Sequence, residues 1–545
     1  MAETFFITTA IDYTNGAPHI GHAYEKVLAD VLARFHRLKG EDVFFLTGVD
    51  QHGQKVQQSA EKQSVEPQQF VDGITAKFLA LWKKLEVEYD GWAATTDPKH
   101  KQCVRAILQR LWDDKGEDGQ SKWLYKKSAG GYYSVRQEQF LTDKERGPDG
   151  EFGPEWGQVE FREEENFYFR LLPHKQWLLD LIDARSKAGQ PLVVPDFRVA
   201  ELRNAVEKLE GDLCISRPDT RLKWGIPFPE SFGAGFVTFV WFDALVNYIS
   251  FAPDYDPTAA RPSEKFLQYW RNIVHVIGKD ILIPAHGVYW PIMLKAIGFA
   301  DEEIPTLLVH GWWNIKGKGG ESEKMSKTLG NVVDPDLLAD KYGAEAVRYY
   351  LMSDIATGKD SDFSEERLIQ RFNTDLANSL GNLLNRTLNM VAKYREGILK
   401  RTDADAQSPE FAREGVEAYV SNINPANAEP LLHHAIDRAI NIAVACNQSI
   451  DAEKPWALAK DATQAERLDA VLYRLAESLR ITAILLSPVL PKSAHGIFDQ
   501  LNWKMDLSGK AERFHLAEAQ WGGLPDGHQL GKPTPLFPRI EIPKE

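Results

Sequence analysis

A chain of 545 residues is too long for one hydrophobic core, and at roughly 150 residues per domain it divides into three or four units. Its 43% hydrophobic content, with 15 Trp and 27 Phe, excludes disordered and fibrous classes, and a net charge of −14 excludes a protein that coats nucleic acid by bulk attraction, leaving room for a local basic face. Cys103, Cys214 and Cys446 are too far apart for a CxxC pair or a disulfide framework, and no export signal or bilayer-length apolar run is present, so a soluble cytoplasmic protein is expected.

In chain order, Phe5 to Ile11 reads as a buried strand. Pro18 to Leu38 reads as a helix with Val27, Leu28, Val31, Leu32, Phe35 and Leu38 inward, and Val43 to Gly48 as a second strand. This is a βαβ unit, whose right-handed crossover makes the strands parallel and places ligands beyond their carboxyl ends. The loops at Ile11–Tyr13 and at Asp50-Gln51-His52 then face one crevice.

From residue 119 to 228 the pattern turns irregular, mixing aromatics, glycines and charges, and reads as an inserted domain. The apolar runs VTFVWFDAL, IVHVIGKDILI and IPTLLVHGWW then resume a buried-strand signature and complete the sheet. Beyond Asp362, RFNTDLANSLGNLLNRTLNMVAKY, LLHHAIDRAINIAVACNQSI and LDAVLYRLAESLRITAILL carry helical periodicity. The expected fold is α/β: a Rossmann-like parallel-sheet catalytic domain (1–118 and 229–330) with an inserted connective domain (119–228), a linking region (331–370) and an all-α helical bundle (371–545).

Two segments carry chemistry. In APHIGH, His19 and His22 stand at i and i+3 in the first helical turn, where backbone N–H groups are unpaired and the dipole is positive, so an anion belongs there. Gly21 between them opens the backbone to a ligand, and Pro18 sits where no N–H is needed. KGKGGESEKMSKTLGNVV follows an apolar strand and carries Lys324 and Lys327 behind a glycine-rich stretch, which reads as a mobile basic loop for phosphate. Neither G-x4-G-K-[ST] nor G-x-G-x-x-G occurs, so any phosphate site is of another kind.

APHIGH after the first strand and KMSKT after a late one together resemble the class I aminoacyl-tRNA synthetases. The resemblance is to their methionyl branch, running from FFITTAIDYTNGAPHIGH through TGVDQHGQK, FVWFDALVNY, HVIGKDIL, HGWW and KMSKTLGNVVDP to PLFPRIE. The family motif HIGH is matched by His19, Ile20, Gly21 and His22. KMSKS is matched except that Thr328, which keeps the hydroxyl, stands for the last serine.

The resemblance implies an ATP-dependent methionine–tRNA ligase, which forms methionyl-adenylate and pyrophosphate and then charges the 3′-terminal adenosine of tRNA(Met), initiator and elongator. A carboxylate already attacks well, so catalysis rests on positioning and on stabilising charge on phosphate. His19, Gly21 and His22 are assigned to ATP, Gly278 and Asp280 to its nucleoside, and Lys324 and Lys327 to the pyrophosphate end, with Mg²⁺ accompanying ATP. His19, His22, Lys324 and Lys327 are the expected catalytic residues, Lys327 weighing most on kcat. Ile11, Tyr13, Trp241, Leu245, Tyr248, His286 and Trp290 match the methionine side-chain pocket, and Asp50 the carboxylate that holds the ammonium.

Leu245 stands where many relatives have proline, and IGKDILIPAH is one residue longer than the commonest spacing before His286. The insertion, of about a hundred residues, is too small for the editing domain of the isoleucine, valine and leucine relatives. With Cys214 alone between Gly119 and Trp224, no zinc is expected. In the bundle, Asn382, Arg386 and Trp456 match anticodon-reading positions, the last by base stacking. The chain ends just after PLFPRIE, so a monomer without membrane attachment is expected. Two competing readings are a non-catalytic synthetase-like paralogue that binds tRNA or an amino acid, and a nucleotidyl-transferring enzyme without tRNA. Intact HIGH and KMSK residues speak against the first, and the anticodon-type residues against the second.

Overall fold

The computed structural model describes residues 3–136, 139–141, 143–316, 321–325, 331–403, 408–424, 431–505 and 513–541. Strand β1 (Thr4–Thr9) is buried from its second residue onward and feeds helix α1 (Ile20–Leu38), which returns to β2 (Asp42–Asp50). Further strands are β3 (Gly91–Ala94), β4 (Val193–Val194), β5 (Ile273–Gly278) and β6 (Thr306–His310). They lie parallel in the order β3-β2-β1-β5-β6-β4. The order reverses between β1 and β5, the point at which a doubly wound sheet opens a crevice for ligands.

The first strand is shorter than its apolar run suggests. Pairing with β2 runs from Thr4↔Asp42 to Thr8↔Leu46, lapses at Ala10 and Ile11, and resumes at Asp12↔Val49 and Tyr13↔Asp50. The lapse frees Ile11 from the ladder and turns the chain end into a wall of the crevice.

Three expectations are corrected. VTFVWFDAL does not supply a sheet strand: Phe236–Thr238 pairs with Ser216–Pro218, and the rest forms helix α2 (Val240–Ser250). A short apolar run fits a buried helix as well as a strand. The insertion is not irregular either, because Leu124–Ser134 and Val159–Phe169 form a long antiparallel pair from Leu124↔Phe169 to Ser134↔Val159. Its charged, glycine-bearing strands face solvent on one side and hid the alternation. Nor is the 119–228 segment wholly separate, since β4 within it is the edge of the main sheet.

One continuous core runs from β1 and α1 through Val347 and Leu351 of the linking helix Ala344–Ser353 into the C-terminal bundle. The six residues expected inward on α1 are all buried, and so are Glu25, Lys26 and Asp30, the last against Arg348 of the linking helix. A second core on the other sheet face joins Phe6 and Ile277 to the insertion at Phe167 and Phe169. The bundle is built on α3 (Asn382–Arg395), α4 (Leu432–Glu453) and α5 (Ala465–Leu486), the last buried through most of its length. Among the described residues no helix is long and apolar enough to cross a membrane.

Candidate active site

A cavity of about 650 Å³ opens at the carboxyl ends of β1, β2, β5 and β6. It is lined by Ile11, Tyr13, His19, Gly21, His22, Asp50, Trp241, Leu245, Tyr248, Gly278, Asp280, His286 and Lys324, which come from distant parts of the chain. Trp290 does not line it. The Trp290 indole is fully buried behind Tyr248, with ring centroids 5.7 Å apart, and donates from Nε1 to His275 Nε2 at 3.1 Å. Lys327 and Thr328 lie outside the described residues.

The helix mouth differs from its expected form. Helix α1 starts at Ile20, and His19, in extended backbone (φ −136°, ψ 176°), is its N-cap. Gly21 N–H donates to His19 Nδ1 at 3.1 Å, and His19 N–H donates to His22 Nδ1 at 3.0 Å. This is the reciprocal capping box usually built from Ser and Glu, here made of two imidazoles. The Ile20 N–H donates to Val333 O at 3.2 Å. The N–H groups of Ile20 and Gly21 are therefore already satisfied, and an anion is not received by them.

The donors that the helix mouth presents are on the rings. Each Nδ1 accepts a hydrogen bond, so neither carries a proton, and in neutral imidazole the proton sits on Nε2. Two Nε2–H donors, with ring centroids 3.8 Å apart, thus stand at the positive end of the helix. Gly21 is explained by the same cap: a Cβ there would meet His19 Cε1 at 2.9 Å. The missing side chain makes room for the capping ring, and Gly21 also lines the cavity.

Behind the mouth lies a buried charge cluster that the sequence reading missed. Lys26, with no solvent exposure, donates to Asp12 Oδ1 at 2.8 Å, Glu25 Oε1 at 2.7 Å and Ala10 O at 2.9 Å, which uses all three ammonium hydrogens. Burial disfavours its charge, but Asp12 and Glu25 outweigh burial and raise its pKa. Burial likewise works against the Glu25 carboxylate, yet Lys26 and His310, the latter at 3.1 Å, hold its pKa below the ordinary value. The cluster fixes Ala10–Asp12 against α1, so that Ile11 and Tyr13 project into the cavity. Charges inside the apolar stretch AYEKVLADVLARF were the available signal.

Asp50 has the opposite environment. It is 6% exposed, and burial together with the nearby Asp243 charge raises its pKa well above the ordinary value, only partly opposed by the His52 N–H and the Thr95 hydroxyl. Asp243 is ionised instead: burial opposes this, but His52 at 2.7 Å and His100 at 2.8 Å bring its pKa to about 2. Asp50 is thus a buried carboxyl at the end of β2 with no ion-pair partner among the described residues. Asp243 ties the β2 loop and helix Pro98–Asp113 to α2, the helix that carries Trp241, Leu245 and Tyr248.

The apolar part of the cavity contains one oriented polar relay. His286 Nδ1 lies 2.9 Å from Ile281 O, and a carbonyl only accepts, so Nδ1 carries the proton and Nε2 accepts from Tyr248 Oη at 2.7 Å. Burial lowers the His286 pKa to about 4, so the ring stays neutral near pH 7. The segment Leu282–Tyr289 that carries it is not one continuous helix: Ile283 leaves helical backbone (φ −115°, ψ 128°), so the chain is kinked three residues before His286.

In the bundle, Asn382 is exposed at the start of α3 and Arg386 lies one turn on along the same face. Arg386 is held by Asp451 at 2.7 Å and by Asn447 Oδ1 at 3.4 Å, both on α4. Trp456 follows the left-handed Lys454 (φ 49°) and is 43% exposed, an unusual position for an indole in a chain with this much core. Among the described residues no group of three or more His, Cys, Asp or Glu side chains is placed to hold a metal ion.

The comparisons with known proteins agree with this geometry. The family model "tRNA synthetases class I (M)" matches residues 5–149 and 156–388. The methionine–tRNA ligase of Thermosynechococcus vestitus is 37% identical over 551 residues, covering 100% of this chain and 99% of that protein. That of Deinococcus radiodurans is 38% identical over 544 residues, covering 98% of this chain and 74% of that protein. The structure of Mycobacterium tuberculosis methionyl-tRNA synthetase in complex with methionyl-adenylate superposes with a TM-score of 0.84 at 34% identity, covering 98% of this chain and 100% of that one. With a family model matched over more than half its length and full-length relatives above 30% identity, the chain belongs to the class I tRNA synthetases, in their methionyl branch.

Proposed function

We propose that this chain is a methionine–tRNA ligase, which activates L-methionine with ATP and transfers it to tRNA(Met). The observation that carries the reading is that one cavity is lined by both helix-mouth imidazoles, a cation-seeking carboxyl, an aromatic wall and Lys324. The methionine ammonium pairs with Asp50 and supplies the charge this buried carboxyl lacks. The thioether lies among Ile11, Tyr13, Trp241, Leu245 and Tyr248, where shape closure by several groups outweighs sulfur–aromatic contacts of only ~0.3–1.5 kcal/mol each.

The substrate carboxylate attacks the α-phosphate of ATP. Negative charge grows on the phosphate oxygens, and the Nε2–H groups of His19 and His22 are preorganised donors to it. Asp280 and Gly278 hold the nucleoside, and Lys324 and Lys327 receive the pyrophosphate. A Mg²⁺ ion bound with ATP would offset charge on the phosphates, and the chain's own part there is the ammonium groups of Lys324 and Lys327.

In the second step, tRNA(Met), initiator or elongator, is held through its anticodon by Asn382, Arg386 and Trp456, the exposed indole serving as a stacking platform. The enzyme acts in the cytoplasm as a monomer. Amino-acid-dependent ATP–pyrophosphate exchange tests the reading: methionine should exceed leucine, isoleucine and cysteine, and a preference for leucine would reject the pocket assignment. A chain that charges no tRNA and exchanges no pyrophosphate would instead support a non-catalytic paralogue.

A further inference from the structure

We propose that Trp312 is a positioning residue for ATP, acting through two separate contacts: its indole Nε1–H orients Asp280, and its ring face seats the Lys324 ammonium beside the triphosphate site. The proposal rests on the reading of the cavity as an adenylate-forming site.

Trp312 lies two residues beyond β6 and lines the cavity. Its backbone is anchored first. Trp312 N–H donates to Asp360 Oδ1 at 2.9 Å, and Asp360 Oδ2 pairs with Lys279 Nζ at 2.5 Å. The preceding Gly311 lies so close to the Lys359–Asp360 backbone that a Cβ would fall 2.1 Å from Lys359 O. The indole therefore projects from a fixed frame that also holds Lys279, the neighbour of Asp280.

From that frame Nε1 donates to Asp280 Oδ1 at 3.2 Å. Asp280 sits in the single turn Lys279–Ile281 after β5, a place where a carboxylate without a partner has several rotamers. The indole donor engages one oxygen and leaves the other to a hydroxyl-bearing ligand.

The ring face does the second task. Lys324 Nζ lies 3.5 Å from the Trp312 ring centroid and Lys279 Nζ 4.1 Å from it. Lys324 is exposed on a short strand, Ser322–Lys324, and forms no ion pair among the described residues, so the ring is what limits its wandering. An indole face attracts an ammonium through its quadrupole. Lys279 is already paired with Asp360, so Lys324 is the ammonium that this ring presents to an anion. A polyphosphate chain has the right sign, and its nucleoside end would meet Asp280.

Two variants separate the contacts. Trp312→Phe keeps a ring face and loses the N–H; Trp312→Leu loses both. In methionine-dependent ATP–pyrophosphate exchange, Trp312→Phe should raise KM for ATP about 3–10-fold with kcat within about 2-fold. Trp312→Leu should show the same rise in KM and in addition a fall in kcat of about 5–30-fold. KM for methionine should not move in either. Identical kcat values for the two variants would overturn the Lys324 seat, and a Trp312→Phe enzyme equal to wild type would overturn the Asp280 contact. A rise in methionine KM in step with ATP would mark a merely structural role.

If Trp312→Leu does not fold, a double-mutant cycle between Trp312→Phe and Asp280→Asn decides the first contact. Their effects on ATP KM should be non-additive, and additivity would reject the coupling. Absence of methionine-dependent exchange in the wild-type protein would sink the parent reading instead, and is seen before any variant is made.

Discussion

The Asp30 carboxylate and the Arg348 guanidinium meet at 2.7 Å with neither side chain exposed. Asp30 lies on α1 eleven positions after His19, and Arg348 lies on the linking helix. Arg348 also donates to Pro488 O at 2.8 Å and Val489 O at 2.9 Å, beyond the end of α5, and to Leu85 O at 3.0 Å. One side chain thus pins the helix that carries the imidazoles, the linking region and the bundle. Arg348→Met should lower unfolding free energy by about 3–5 kcal/mol, the cost of breaking a buried pair. Urea unfolding followed by circular dichroism checks this, and a loss below about 1 kcal/mol would contradict it.

The environment of Asp50 sets stability against function. Its folded-state pKa is raised, so the folded chain holds a proton that the unfolded chain has released. Its contribution to stability is present at acid pH and is lost as pH rises from the ordinary carboxylate value through the raised one. Asp50→Asn removes that loss, so the free enzyme should be more stable than wild type at neutral pH. KM for methionine should nevertheless rise at least about 30-fold, because the ammonium loses a buried partner worth about 2 kcal/mol or more. Thermal melting and pyrophosphate exchange measured on one preparation test both signs.

At position 19 two substitutions separate capping from catalysis. Asn is among the best N-caps, whereas Ala loses the cap at about 1 kcal/mol. Both remove the Nε2–H donor, so kcat should fall by about 10²–10³ in each. Denaturant titration should place His19→Asn near wild type and His19→Ala below it. A His19→Asn enzyme with near-normal kcat would reject the phosphate role.

His286 predicts an acid sensitivity. Its folded pKa of about 4 lies below the unfolded value of about 6.5, so the unfolded chain binds the extra proton between them and stability is lost as pH is lowered through that interval. Between pH 6.5 and 5 this one group contributes roughly 2 kcal/mol of loss. His286→Gln should flatten the profile by that amount, and an unchanged slope assigns the sensitivity elsewhere.

Trp456→Ala should weaken charging of tRNA(Met) by about 5–150-fold, the worth of one stacked base at ~1–3 kcal/mol, while leaving pyrophosphate exchange within about 2-fold. Equal losses in both assays would remove the indole from tRNA binding.

Much of the architecture was readable in the residues because it rests on local pattern. The 3.6-residue spacing from Val27 to Leu38 placed α1, and the helical stretches around Leu388, Ala439 and Leu475 placed the bundle helices. The motif positions His19, Asp50, Trp241, Tyr248 and Asp280, spread over nearly half the chain, all line one cavity. Short apolar runs failed where helix and strand share a pattern, as at Val240–Ser250, and surface strands failed where charge masked alternation, as at Val159–Phe169.

By itself the sequence determined α1 and the bundle helices, which loops end at the crevice and which residue types wait there, because periodicity and local motifs act over a few residues. Only the tertiary structure decided that the His19–His22 pair caps its own helix, that Gly21 serves this cap, that Trp290 stands behind the cavity wall, and that Lys26, Asp30 and Arg348 are buried with their charges paired. The physical reason is long range: Arg348 reaches Asp30 and Asp12 reaches Lys26 from other elements, and a buried charge is tolerated only once the fold has brought such partners beside it.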